Sequence, residues 1–453
     1  MAVLIRLRFN VRTASLLSNS ELPRSLSSEI YIIGGGIAGL SAARFLHDRG
    51  VSVVVFEARA RSGGRISSRE LEGGGVFEEG ASWIHGPEKN PITGLALAAG
   101  AGLVPSDDDN KRLYDQYGAL FPTKTVRNAE ALLGALLDDL GGKKHQSFAT
   151  ALYRRHPEMK ENPLWDYLLS AFVEFDIGGD VTELSGKDFY DDEDFSGEDL
   201  LITNGYHRLT DQLALGLDVR LNRPVTGIRC SDAGVEIETT TEVFTADRVI
   251  VAVPLGVLKA GTISFEPALP GYLNRAIDRL GFGLVNKYCC RWAEPFWDTD
   301  ARYIGFTAET KGQFNLFLNH LTYSGLPVLT TYTYGQYAHT AADLPDDEVV
   351  ALIMRNLRTI YGDHVPPPTE FYRTDWGGEE YTRGSYSFVP VGARSKLYDA
   401  FTGSFHNRLF FAGEHTNRDY RATVHGAYFS GVRAALEVLR VVGKSGGHQN
   451  ENT

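Results

Sequence analysis

Cysteine is scarce in this 453-residue chain, which has three. Cys289 and Cys290 are adjacent and Cys230 is distant, so they offer neither a disulfide framework nor zinc-ligand spacing. Long apolar runs are missing too. The longest, 249–258, is ten residues and contains Pro254, which excludes an apolar membrane span. There is no Asn-X-Ser/Thr acceptor, so nothing favours secretion. Basic residues are outnumbered, 45 Lys and Arg against 57 Asp and Glu, and the formal charge of −12 disfavours nucleic acid and suits cationic partners. Acids are absent before Glu21, where Arg6, Arg8 and Arg12 stand among serines. Residues 1–28 read as an organellar transit segment, mitochondrial or plastid, or as a disordered extension of a cytoplasmic protein. Residues 443–453, polar and Gly-rich, read as a flexible tail.

What is present is organised around residues 29–57. Residues 30–33 are a short β-rich apolar run, and Gly34, Gly36 and Gly39 form a G-x-G-x-x-G turn. Ile37, Leu40, Ala43 and Leu46 follow at helical spacing, then a second strand over 51–56. Glycine first allows the turn, second lets backbone approach a pyrophosphate, and third lets helix and strand pack closely. The helix N-terminus, with Ala38 in its first turn, then faces the phosphates. Glu57 ends the second strand 18 residues past Gly39, where a carboxylate accepts hydrogen bonds from an adenosine ribose.

Further cofactor signals recur along the chain. Arg59 and Arg65 bracket a Gly-rich loop suited to phosphates. Gly80, Ser82, Trp83 and His85 set small residues beside an aromatic and a histidine, as backbone passing along a flat ring requires. Far downstream, 408–416 reads as a strand into a glycine turn, before a helix over 425–441. A ligand touched by both ends of the chain is long, and a flavin dinucleotide fits better than a nicotinamide.

The segments IIGGGIAGLSAA, RSGGRI, GASWIHG, VIVAVPLGVLK, GFGLVNKY, RGSYSFVPVG and FAGEHTNRDYRATVHGAYFSG, in this order over 29–440, resemble the flavin-dependent amine oxidase family. Within it the similarity is greatest to polyamine oxidases and to the catalytic domain of lysine-specific histone demethylases. The resemblance implies an α/β, two-domain fold in which a Rossmann-like FAD-binding domain is interwoven with an α+β substrate-binding domain. The FAD domain would take 29–90, 204–259 and 384–442, and the substrate domain 91–203 and 260–383. Periodicity agrees, with alternating β-rich stretches over 218–230 and 234–253 and helical spacing over 129–140 and 164–175. Val225 matches the position whose backbone meets the adenine, and Glu414, Thr423 and Val424 fall in the last flavin-binding motif.

Lys287 lies in a probable strand over 284–292, on the same face as Val285 and Cys289, where the family holds a water against flavin N5. A lysine in a water-poor site shifts its pKa and serves proton transfer or dioxygen activation. Glu174 falls where plant polyamine oxidases carry an active-site carboxylate, with Phe175 as apolar wall; a helix-surface glutamate is the alternative. His85 matches a channel-facing position, either bonding the substrate amine as a neutral imidazole or supporting the site structurally. Trp376 and Tyr386 match aromatic positions along the flavin, suited to cation–π contact and to excluding water. Asp188, Asp191, Asp192, Glu193, Asp194, Glu198 and Asp199 form an acidic run, either a solvated loop or a steering surface for polycations.

Two departures matter. Ser385 replaces the cysteine that bonds flavin in monoamine oxidases, implying a non-covalent FAD. Thr423 replaces the second tyrosine of an aromatic pair, implying a wider site. The expected activity is oxidation of the C–H next to a polyamine nitrogen of spermine, spermidine or an acetylated polyamine, with dioxygen as co-substrate. The alternatives are a histone-demethylase-like oxidase, although the long helical insertion is missing, and an L-amino acid oxidase, which needs a pocket arginine such as Arg291 or Arg383. A flavin-binding remnant without catalysis is the non-enzymatic alternative.

Overall fold

A computed structural model describes residues 29–447, so the Arg- and Ser-rich segment and the end of the polar tail lie outside the described residues. Five parallel strands form one sheet, in the order Leu409–Phe411, Arg248–Val251, Glu29–Ile33, Ser52–Phe56 and Asp218–Arg220. Three of these come from beyond residue 200, so the chain returns repeatedly to a sheet that its first sixty residues begin. The helix Ile37–His47 buries Ile37, Leu40, Ala43 and Leu46, the residues of the predicted stripe. It packs on the C-terminal helix Val424–Gly447, where Ser41 Oγ donates to the carbonyl of Tyr428. Gly39 permits the close helix–strand approach: a Cβ there would lie 2.0 Å from the carbonyl oxygen of Gly34.

The alternating stretches divide more finely than periodicity suggests. Residues 218–230 split into Asp218–Arg220, an edge of the parallel sheet, and Val225–Ser231, the start of a separate four-stranded sheet. Asn222, at φ 53°, makes the bend between them. Residues 234–253 split into Gly234–Thr239, Val243–Ala246 and Arg248–Val251. Tyr31, Phe56 and Phe244 pack edge to face where the two sheets meet.

A second layer is built on a six-stranded sheet ordered Glu370–Arg373, Asn286–Arg291, Val328–Thr333, Leu316–Asn319, Tyr303–Phe306 and Lys111–Tyr114. Asn286–Cys290 is buried throughout, so alternation gives way to a strand covered on both faces. The expected helix over 129–140 is Thr123–Asp138. The stretch over 164–175 is not one α-helix. Pro163–Leu168 is α-helical, Leu169–Glu174 widens into a π-helical turn, and Phe175–Ile177 tightens again before Gly178 ends it at φ 83°. That widening decides which side chains reach the cavity between the layers.

Candidate active site

A cavity of about 930 Å³ runs from the first glycine turn to the acidic loop. At one end lie Gly34, Gly36, Ala38, Glu57, Arg59, Arg65 and Val225. Gly39 is not part of the lining and serves the packing described above. The helix Ile37–His47 starts at Gly36 with no side-chain cap and no acid in its first turn. Its leading N–H groups and the positive end of its dipole therefore suit an anion. Glu57 is buried and accepts from the N–H of Gly35 at 2.7 Å and of Arg59 at 2.9 Å. A carboxylate has about four acceptor sites, so capacity remains for two ribose hydroxyls. The uncapped helix and the oriented carboxylate fit the adenosine and pyrophosphate of FAD.

The middle of the cavity is a dense hydrogen-bonded frame. Lys287 is buried, and its Nζ donates to the carbonyl of Gly80 at 2.5 Å, to Ser82 Oγ at 2.5 Å and to the carbonyl of Glu78 at 3.1 Å. Trp376 Nε1 donates to the carbonyl of Glu79 at 3.0 Å, so one short loop orients both residues. A Cβ on Gly80 would sit 1.7 Å from the carbonyl oxygen of Arg65, which only glycine avoids. Burial pushes the Lys287 ammonium down to about 7, outweighing the attraction of Glu78 and Glu79. Lys287 also lies 5.5 Å from the ring centre of Trp83 and 5.9 Å from that of Tyr332.

Tyr386 donates its hydroxyl to the carbonyl of Phe175, and Phe175 packs 5.9 Å from Trp83. Ser385 Oγ donates to the carbonyl of Val285 and accepts from its N–H. None of the three cysteines lines the cavity, so no thiol is available to bond a flavin there. Glu414 is buried and ion-paired with Arg65 at 3.0 Å, and Ser387 Oγ donates to it at 2.6 Å. Thr423 and Val424 line the cavity where the C-terminal helix begins.

The outer half is acidic. His85 Nδ1 and Asp199 lie 2.6 Å apart. His85 keeps 51% of its side-chain surface accessible while sitting deep among protein atoms, so that surface faces the cavity. Burial alone would lower its pKa, but the hydrogen bond and charge of Asp199 raise it above the usual value of 6.5. Relative to a free histidine, His85 is thus shifted toward its protonated form. Asp192 pairs with Arg421 at 2.9 Å, and Asp194 and Asp199 also line the cavity. Asp188 turns away to Arg394 and Asp191 to Arg421.

Glu174 stands apart from the other expected residues. It is 1% exposed behind the cavity wall, where its carboxylate accepts from the N–H of Val181 and from Lys311 Nζ at 2.5 Å. The π-helical turn and the pull of Lys311 direct it away, and Phe175 and Asp176 face the cavity instead. Sequence reasoning did not single out Asp176, which lines the cavity. Its signal was the helical rule that residues two apart face opposite ways, so that Glu174 and Asp176 do not share one lumen.

Residues 37–439 match the family model described as flavin containing amine oxidoreductase. The chain is 33% identical over 460 residues to Polyamine oxidase 2 of Arabidopsis thaliana, covering 96% of this chain and 93% of that protein. It is 34% identical over 446 residues to Polyamine oxidase 4 of Oryza sativa subsp. japonica, covering 93% and 91%. It is also 36% identical over 438 residues to Lysine-specific histone demethylase 1 homolog 2 of Arabidopsis thaliana, covering 91% of this chain and only 58% of that protein. Among solved structures, a redesigned putrescine oxidase superposes with a TM-score of 0.74 at 24% identity, over 92% of this chain and all of the other, a likeness of fold.

Proposed function

This chain belongs to the flavin-containing amine oxidoreductase family, whose cofactor is FAD, and from that premise we propose that it is a polyamine oxidase. The observation that carries the reading is one cavity that joins an uncapped helix N-terminus, a buried lysine among aromatic rings and a carboxylate-lined outer half. FAD held by Gly34, Gly36, Ala38, Glu57 and Val225 would supply a hydride acceptor for the C–H next to nitrogen and pass the electrons to dioxygen, giving hydrogen peroxide. The imine product hydrolyses to an aldehyde and an amine.

The chain's own residues set the conditions for this. Trp83, Phe175, Trp376 and Tyr386 wall the alkyl chain and exclude water from the reacting carbon. Lys287 loses its ammonium proton as pH rises through about 7, which leaves a neutral amine able to take or relay a proton at Nζ. The outer carboxylates Asp176, Asp194 and Asp199 complement the remaining ammonium groups. An amino-acid substrate is disfavoured, because among the described residues the outer half offers no unpaired arginine: Arg421 is held by Asp191 at 2.8 Å and Asp192 at 2.9 Å. Arg291, engaged by Glu370, and Arg383 are not among the lining residues. The test is product analysis with spermine, spermidine and their acetylated forms. One peroxide and one aldehyde per amine consumed supports the reading, and turnover confined to neutral amino acids or methylated peptides overturns it.

A further inference from the structure

The outer half contains an imbalance of charge. Asp199 has His85, and Asp192 has Arg421. Asp108 accepts from Ser106 Oγ at 2.6 Å. Asp176 and Asp194 line the same cavity and, among the described residues, have no hydrogen bond or ion pair from their side chains. Burial raises the pKa of Asp176, and the neighbouring Asp194 and Asp199 charges raise it further against the opposing pull of His85. Both side chains are open to the cavity space, and unpaired carboxylates on one wall attract a cationic ligand.

Asp176 is also held rigidly. Glu174, two residues earlier, is anchored to Lys311 and to the N–H of Val181. Gly178, two residues later, lies against Tyr386, whose ring carbon a Cβ there would approach to 2.6 Å. Tyr386 in turn donates to the carbonyl of Phe175. The backbone bearing Asp176 is thus fixed on both sides against an aromatic residue of the inner wall, so the carboxylate has a set position along any extended substrate.

We propose that Asp176 is a specificity-determining residue of this site, receiving an ammonium group of a linear polyamine other than the reacting nitrogen. The inference rests on the polyamine reading and deepens it. Polyamines that carry this second free amine are selected over those in which it is missing, and Asp194 contributes less.

The test uses the holoenzyme with spermidine and two analogues, N-butyl-1,3-diaminopropane and N-propyl-1,4-diaminobutane, each lacking one terminal amine. Wild-type enzyme is expected to prefer spermidine over at least one analogue by about 10- to 100-fold in kcat/KM, the range for a hydrogen bond between charged groups. Asp176→Asn should erase that preference, raising KM for spermidine much more than it lowers kcat. Asp194→Asn should lower kcat/KM for spermidine by a smaller factor. Equal kcat/KM for spermidine and both analogues in the wild type overturns the assignment without any variant, so a misfolded substitution does not shield it. Reduction of the flavin by spermidine with Asp176→Asn unchanged overturns Asp176 alone. A wild-type flavin that no polyamine reduces overturns the polyamine reading itself.

Discussion

The inner and outer halves of one cavity follow opposite rules. Around Lys287 the polar groups are engaged by the protein: three acceptors hold Nζ, Glu79 holds the Trp376 indole, and Val285 holds the Ser385 hydroxyl. In the outer half Asp176 and Asp194 have no hydrogen-bond or ion-pair partner among the described residues. An inner frame satisfied in advance costs no reorganisation during reaction, whereas an unsatisfied outer rim keeps its interaction energy for the substrate. On the proposed reading, chemistry and selection are separated along one channel.

The sharpest way to break that contrast is Lys287→Met. Turnover is expected to fall by about 100- to 10,000-fold, the range for losing a proton-transfer group. The wild-type kcat/KM should rise with pH through about 7, as Lys287 loses its proton, and this limb should vanish in the variant. A further rise toward alkaline pH should persist in both, because the substrate nitrogen must also be neutral; a wild-type profile flat between neutral and pH 9 would contradict this.

Lys311→Met attacks the support behind the wall. It removes the cation beside Glu174 and Asp180, and where Glu174 is ionised, above about pH 8, the expected loss is about 3–5 kcal/mol of stability by urea unfolding. Burial already pushes Glu174 up to about 8 against the pull of Lys311, so the folded protein binds a proton more tightly than the unfolded chain. Stability contributed by that proton is lost as pH rises toward 8, and the variant's deficit should grow in the same direction.

His85→Gln should have a smaller effect, roughly 3- to 10-fold in KM, on the scale of one modest hydrogen bond. The wild-type imidazolium persists above pH 6.5 and then loses its charge, so polyamine KM should fall as pH rises through that transition. In the variant this dependence should be absent. Added salt should have the smallest effect, raising KM a few-fold by screening the outer carboxylates while kcat stays nearly constant.

The parts of the molecule set by local rules were legible in the sequence. Gly34, Gly36, Gly39 and Glu57 announce a turn, a helix start and an acid at fixed spacing, and the structure has that unit. Lys287 was legible as a residue out of place among apolar neighbours, and it is buried in the cavity wall. The return of 218–220, 248–251 and 409–411 to one sheet depends on contacts hundreds of residues apart, which periodicity does not encode; the family motifs supplied it. The turn of Glu174 away from the cavity was hidden for a different reason. A π-helical turn carries no distinctive composition, and the residue that draws Glu174 inward, Lys311, lies 137 positions away.

Rapid anaerobic mixing of the purified holoenzyme with spermidine, followed by visible absorbance, tests the central claim most directly. Loss of the flavin band with spermidine, faster as pH rises through 7 and absent with a neutral amino acid, is the predicted result. A band that persists with every polyamine, or that bleaches only with the amino acid, would contradict it.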